Sequence, residues 1–312
     1  MTAVLGSGAS GALAGDERTT AASRLTGELR LRVALRGGRS TVVDQFHVGS
    51  LRVLRAHHDA SGVPTLMAIN PGGGYLGGDA YETRLEVGAG ASALLTTQSA
   101  TKVYRTPQGP ARAELRLVLG AGARLESVPD ALIAYRDARY HQDTVVDMAP
   151  DASLALAEVV THGWSPDGEP FRFDEVSLVT RVRLGGRLAV ADNLLIRPGD
   201  GGPGAVGPGA RGSGPLGPGS LMLGGRTHVG SLLVVDPRAD DGAVVALRAL
   251  LAERFPSPPA GPLVGVTRLA VPGFALRALA DSTQSAEAVL VAVLDWMRAA
   301  WQGLPPIELR KL

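Results

Sequence analysis

The chain has 312 residues, long enough for one large β domain or two smaller ones, and a net charge of +1. This even charge balance argues against an extended nucleic-acid surface, which needs a field of one sign. The sequence has no cysteine, which excludes disulfides, iron–sulfur clusters and thiolate metal sites and fits a cytoplasmic location. No apolar stretch is long and uncharged enough to span a bilayer, so we expect a soluble protein without a membrane partner.

The N-terminal region, residues 1–23, is rich in glycine, alanine and serine and has neither the basic start nor the apolar core of a signal peptide. It predicts a disordered extension in front of a single β domain over residues 24–312. The first strand of that domain is expected where Leu29, Leu31 and Val33 alternate with arginines, because such alternation gives one buried and one solvated face.

A glycine cluster follows in which Gly72, Gly74 and Gly77 match the dinucleotide fingerprint G-x-G-x-x-G. In a nucleotide-binding fold this loop must open a helix, whose N-terminal amides hold the pyrophosphate. Here the residues from Tyr81 to Val87 alternate between apolar and polar side chains, which predicts a strand. The cluster is therefore expected to form turns in a β structure.

A pattern of strand, tight turn and strand then recurs at intervals of roughly 30 residues. Its copies lie at residues 87–94, 119–125, 148–154 and, more loosely, 184–188. Single hairpins are marginally stable alone, so a run of them must stack and share a core. The pattern predicts a mainly β fold, a layered β-solenoid or β-helix-like stack of hairpins, with a sandwich of ordinary meanders as the alternative.

The C-terminal half adds a Pro/Gly-rich segment and two helices. Residues 198–219 have almost no apolar content, which predicts a mobile insertion. Apolar periodicity predicts helices over residues 241–254 and 282–302, with Ser282 as the N-cap of the second helix. The apolar stripe of that helix is expected to pack on the core.

Two acidic residues fall on strand faces that otherwise carry aliphatic side chains. Glu158 alternates with Leu156 and Val160, and Asp192 stands in a similar run. A carboxylate in such surroundings is costly unless it is paired, hydrated or occupied by a cation. One interpretation is a buried salt bridge with arginine. The other is a water-filled passage whose oxygen ligands hold a divalent cation transiently.

Further candidates lie in and around the glycine cluster. Asp79, in a Gly-Gly-Asp turn, could guard one mouth of such a passage or could be an ordinary turn acid. Lys102, Tyr104 and Arg105 end a polar strand, and together with Tyr75 they form a candidate partner-binding surface, because tyrosine and arginine are enriched at interfaces. A solvated strand edge is the alternative.

Two segments, NPGGGYLGGD at residues 70–79 and LLTTQSATKVYRTP at residues 94–107, are unusually specific in combination. Further stretches extend the similarity over about residues 25 to 240. Together they resemble the UreD family of urease accessory proteins, called UreH in some systems.

The resemblance implies a β-helical fold with a small helical part and a non-enzymatic role as a scaffold in urease maturation. It implies binding of a UreF-type accessory protein and a UreG-type GTPase, docking on the urease apoprotein, and delivery of Ni²⁺ through a tunnel. No permanently bound cofactor and no nucleic-acid partner are expected. Two alternatives remain at this point: a structural β adaptor without a metal route, and a carboxylate-dependent β-fold hydrolase using Glu158 and Asp192.

Overall fold

A computed structural model describes residues 25–58, 61–199, 223–256 and 261–309. The expected N-terminal extension, residues 1–23, and residues 200–219 of the expected insertion lie outside the described residues. The described chain forms two large β-sheets and two α-helices, so the predicted mainly β class is confirmed.

Seven strands form the first sheet, which we call sheet 1. They are β1 (Gly27–Arg36), β2 (Arg39–Gly49), β6 (Ala80–Val87), β9 (Ala111–Leu119), β12 (Arg139–Met148), β14 (Glu175–Leu184) and β15 (Arg187–Ile196). Their order across the sheet is β15-β14-β12-β9-β6-β1-β2. Within sheet 1 the neighbouring strands β1, β6, β9, β12 and β14 pair in parallel. The two edge strands, β2 and β15, pair with their neighbours in the antiparallel sense.

Eleven strands form the second sheet, sheet 2. They are β3 (Arg52–Val53), β4 (His57–His58), β5 (Pro64–Ile69), β7 (Ser92–Thr97), β8 (Thr101–Val103), β10 (Arg124–Ser127), β11 (Leu132–Ala134), β13 (Ser153–Val160), β16 (His228–Val235), β17 (Leu263–Arg268) and β18 (Gly273–Ala280). The main order is β17-β18-β16-β13-β10-β7-β5-β3, and the central pairs β5–β7, β7–β10 and β10–β13 are parallel.

The two sheets are connected as a solenoid of about four coils, which confirms the predicted architecture. The looser fourth copy, residues 184–188, is an antiparallel hairpin of β14 and β15 within sheet 1. At the recurring turns after β6, β9 and β12 the chain passes from a strand of sheet 1 to a strand of sheet 2, so the two strands beside each of these turns do not pair with each other. Each strand pairs instead with its equivalent in the coils before and after. The turns stack closely: Gly120 N donates to Val87 O at 2.9 Å, and a Cβ on Gly120 would lie 2.8 Å from Ala89 N.

The helices α1 (Asp241–Arg254) and α2 (Thr283–Gln302) confirm the two predicted helical segments. Ser282 caps α2 by accepting a hydrogen bond from Ser285 N at 3.1 Å, and Gly303 ends it with φ of 62°. Both helices pack on the outer face of sheet 2, in an apolar cluster that includes Leu232 and Phe274. Neither helix is long and apolar enough to cross a bilayer within the described ranges.

Candidate functional site

The apolar core between the two sheets is divided by a layer of polar side chains. On β13, Leu156 belongs to one apolar cluster and Val160 to another, and Glu158 lies between them. The same interruption occurs on the neighbouring strands of both sheets. We call this set the interior polar layer; its members are Gln142, Thr144, Thr180 and Asp192 from sheet 1, and Glu158, Ser231 and Arg277 from sheet 2.

Strand register makes the interior polar layer continuous. In sheet 2, Glu158 lies opposite Ser231, and Ser231 lies opposite Arg277. In sheet 1, Thr180 lies opposite Asp192. Residues directly opposite on paired strands point to the same face of the sheet. The layer therefore leads from Glu158 in the middle of the solenoid towards Asp192 and Arg277 near the far edges of the two sheets.

A cavity of about 180 Å³ approaches this layer from the other side. Its lining includes Gln98 and Ser99, which are exposed, and the partly buried Glu158. Side chains around it include Tyr75, Tyr81, Lys102, Tyr140, Gln142 and Glu158. The members of the interior polar layer beyond Glu158, namely Ser231, Arg277 and Asp192, do not line the cavity.

Glu158 is held by neutral groups. Gln142 Nε2 donates to Glu158 Oε1, and Gln142 Oε1 accepts from the Tyr140 hydroxyl at 2.9 Å, which fixes the orientation of the amide. Burial raises the pKa of Glu158 to about 7, against the opposing effects of the Gln142 hydrogen bond and the charge of Arg277. Among the described residues Glu158 has no ion pair within 4.0 Å. Its carboxyl group therefore lines the cavity without a direct ion pair in the described part of the chain.

Asp192 is in a different situation, since Arg277 Nη2 donates to both of its carboxylate oxygens, at 2.7 and 2.6 Å. Each side chain of this pair is 32% exposed. Of the two interpretations offered for the inward acids, the salt bridge with arginine applies to Asp192. Glu158 has no such ion pair with an arginine among the described residues.

Asp79 does not line the cavity, and both of its carboxylate oxygens accept hydrogen bonds at its own turn. Its Oδ2 accepts from Leu76 N at 2.7 Å and from the Tyr81 hydroxyl at 3.0 Å, and its Oδ1 accepts from Thr26 Oγ1 at 3.1 Å. These contacts correspond to the turn-acid alternative. The position gives no support to the expectation that Asp79 guards a mouth of the passage, because both oxygens are used to hold the turn.

The predicted partner surface is divided between the cavity and the outside. Tyr75 stacks on Tyr81 with ring centroids 3.9 Å apart and lines the cavity, as does the partly buried Lys102. Tyr104 and Arg105 remain on the surface. The glycine cluster permits this division, because a Cβ on Gly74 would lie 2.6 Å from the ring of Tyr104 and 2.8 Å from the carbonyl oxygen of Lys102.

Comparison with known proteins decides the family. The family model for the UreD urease accessory protein matches residues 25–311. The chain belongs to the UreD family. It is 44% identical to the urease accessory protein UreD of Actinomyces naeslundii, over 92% of this chain and 98% of that protein. It is 43% identical to UreD of Arthrobacter sp. strain FB24 (91% and 94% covered) and 32% identical to UreD of Bacillus sp. strain TB-90 (92% and 99% covered).

Membership assigns this UreD-family chain a role in urease maturation. Proteins of the family are non-catalytic maturation factors, so the chain is not an enzyme and the hydrolase alternative for Glu158 and Asp192 is excluded. Within the described ranges no three histidine, aspartate or glutamate side chains come together around a possible metal position.

Several residues of the site were not found from the sequence. Gln142, Arg277 and Ser231 complete the interior polar layer, and Ser231 is only 5% exposed, with no hydrogen-bond partner for its hydroxyl among the described residues. The sequence did contain a signal for Ser231, because this polar residue interrupts the otherwise apolar strand HVGSLLVV. Arg277 carried no comparable signal, because its partner Asp192 is 85 residues away in the chain.

Proposed function

We propose that this chain is a urease maturation scaffold, or chaperone, that holds UreF-type and UreG-type accessory proteins on apo-urease and passes Ni²⁺ through its interior. The observation that carries the proposal is the Glu158 carboxyl group, which lines an open cavity and has no direct ion pair in the described chain. The family membership supports the urease connection.

The chemistry of Glu158 suits a cation in transit. A single carboxylate oxygen is a hard ligand that binds a divalent ion, and one such ligand holds it much less tightly than a closed set of several. The cavity of about 180 Å³ has room for several water molecules, so the ion can keep part of its hydration shell. Ni²⁺ is thus cargo on this route, and no permanently bound cofactor is proposed.

Beyond Glu158 the route follows the interior polar layer. Ser231 offers a buried hydroxyl without a partner in the described chain, and the next residue in register is Arg277. Because Arg277 is bound to Asp192, passage past this point requires the guanidinium to move aside and release the carboxylate. The proposed route therefore contains one open half, the cavity, and one half that is closed by an ion pair.

The proposal is tested by reconstituting urease activation with purified apo-urease, UreF-type and UreG-type proteins, GTP and Ni²⁺. With Glu158→Ala we expect the rate of nickel incorporation to fall by about tenfold, equivalent to about 1.4 kcal/mol on the limiting step. Glu86→Ala, at an exposed glutamate of β6, is the matched control and should behave as wild type. Nickel bound per urease is measured by mass spectrometry. Full loading with Glu158→Ala would remove this residue from the route.

A β adaptor without a metal route is the second candidate, and the Arg277–Asp192 pair that closes the interior polar layer favours it. Both candidates require the complex to form. Only the adaptor predicts that Glu158→Ala forms the complex and also loads nickel at the wild-type rate.

A further inference from the structure

A row of three aromatic rings runs along one corner of the solenoid on its outside. Tyr104, Tyr135 and Trp164 occupy equivalent positions in successive coils, after β8, β11 and β13. Their ring centroids are 4.9 Å apart at both steps. Trp164 is 51% exposed, and the two tyrosines are partly exposed. We call these three residues the aromatic row.

Arginines accompany the aromatic row. Arg105 and Arg136 directly follow its first two rings, and their side chains are 72% and 44% exposed. Their ion pairs are long, at 3.6 Å to Asp137 and 3.9 Å to Asp167, and such exposed pairs contribute little. A third arginine, Arg172, shares Asp167 at 3.4 Å. In these three contacts, Arg105, Arg136 and Arg172 share two carboxylates, those of Asp137 and Asp167.

The spacing of the rings fits one kind of secondary structure. An α-helix lying along the solenoid axis presents a side chain on the same face about every 5.4 Å, close to the 4.9 Å step of the rings. Over three rings the two repeats differ by about 1 Å in total. An extended strand in the same direction places side chains on one face about every 6.6 Å, so they no longer match the positions of the rings after the first step.

We propose that the aromatic row is a docking site for an amphipathic α-helix that carries one apolar side chain per turn and acidic residues along one flank. The helix belongs to an accessory protein of urease maturation, so the inference rests on the proposed scaffold function. Apolar residues of the helix cover the three rings, and its acidic flank meets Arg105 and Arg136. Tyrosine, tryptophan and arginine are the side chains that most often dominate binding energy at interfaces.

The experiment measures the Kd between this protein and a purified UreF-type accessory protein by isothermal titration calorimetry at two salt concentrations. We expect the double variant Arg105→Glu/Arg136→Glu to raise the Kd by about tenfold or more and to bind with less salt dependence. Trp164→Ser is expected to raise the Kd by a similar factor. The matched control is Arg181→Glu/Leu188→Ser, at exposed positions of β14 and β15.

Thermal melts of each variant report whether the fold is intact. If Trp164→Ser does not fold, the milder substitution Trp164→Phe is measured in its place. Binding by the double variant with wild-type Kd, or with unchanged salt dependence, would overturn the acidic helix as the occupant. Wild-type Kd for both tryptophan variants would overturn the aromatic row as the site. If the wild-type protein does not bind the UreF-type partner, both the scaffold function and this inference fail. If the wild-type protein binds and the variants bind equally well, only this inference fails.

Discussion

Arg298 of α2 donates a hydrogen bond to Glu126 of β10 at 2.6 Å, and the two side chains are 0% and 3% exposed. Arg298 also donates to the carbonyl oxygen of Pro305 at 2.8 Å, and Arg124 donates to the other oxygen of Glu126 at 3.1 Å. This buried network ties the C-terminal helix to the solenoid. A buried charge that loses its partner is strongly destabilising, because water does not replace the lost contact.

We therefore expect Arg298→Met to lower the free energy of unfolding by about 3 kcal/mol, since Arg124 compensates only part of the Glu126 charge. The control is Arg181→Met, which breaks an exposed pair with Asp143 and should cost less than about 1 kcal/mol. Urea denaturation followed by circular dichroism measures both values. Equal losses in the two variants would show that the buried network does not hold the helix in place.

Glu158 predicts a dependence of stability on pH. Its pKa is raised from 4.5 to about 7 in the folded protein, mainly by burial, so the folded state binds more protons than the unfolded state between these values. The free energy of unfolding should therefore fall as the pH rises through this window. Glu158→Gln removes this titration. Between pH 4.5 and pH 8 we expect the free energy of unfolding of wild type to fall by about 1–3 kcal/mol more than that of Glu158→Gln. Parallel stability curves for the two proteins would contradict this.

His228 predicts the opposite slope over almost the same pH range, so its effect is separated from that of Glu158 by comparing variants. Burial, with a smaller contribution from His162, lowers the pKa of His228 from 6.5 to about 4, so the unfolded state binds more protons between these values. The stability that depends on a neutral His228 is fully present above pH 6.5 and is lost as the pH falls towards 4. Chemical denaturation at pH 7 and pH 4.5 should show a smaller loss for His228→Gln than for wild type, by about 2 kcal/mol. The same loss in both proteins would exclude His228 as the cause.

The architecture was predictable because it is repeated. The glycine turns recur in the sequence, and alternation marks the strands beside them, so the solenoid and both helices follow from local pattern. The pairing partner of each strand does not, since a strand, turn and strand pattern is the same for a hairpin as for a solenoid corner. At the turn after Val87 only the structure shows that the chain moves from sheet 1 to sheet 2.

The candidate site was predictable in part for a similar reason. Alternation placed both Glu158 and Asp192 towards the interior, and both belong to the interior polar layer. Which acid is neutralised depends on Arg277, a residue distant in sequence from either acid. The partner surface was divided because Tyr75 turns inwards to stack on Tyr81, whereas Tyr104 lies over Gly74. Such contacts between neighbouring coils leave no periodic signal in the sequence.

The central claim, that nickel travels through the cavity between the sheets, is tested most directly by filling that cavity. Thr83 lines it, and Thr83→Trp would occupy much of its volume of about 180 Å³, whereas Thr41→Trp places the same side chain on the exposed surface of β2. Each variant is assembled with its partners on apo-urease, the complex is verified by size-exclusion chromatography, and nickel per urease is determined by mass spectrometry. We predict that the Thr83→Trp complex forms but loads nickel about tenfold more slowly than wild type and Thr41→Trp. Loading at the wild-type rate by an intact Thr83→Trp complex would contradict an internal route.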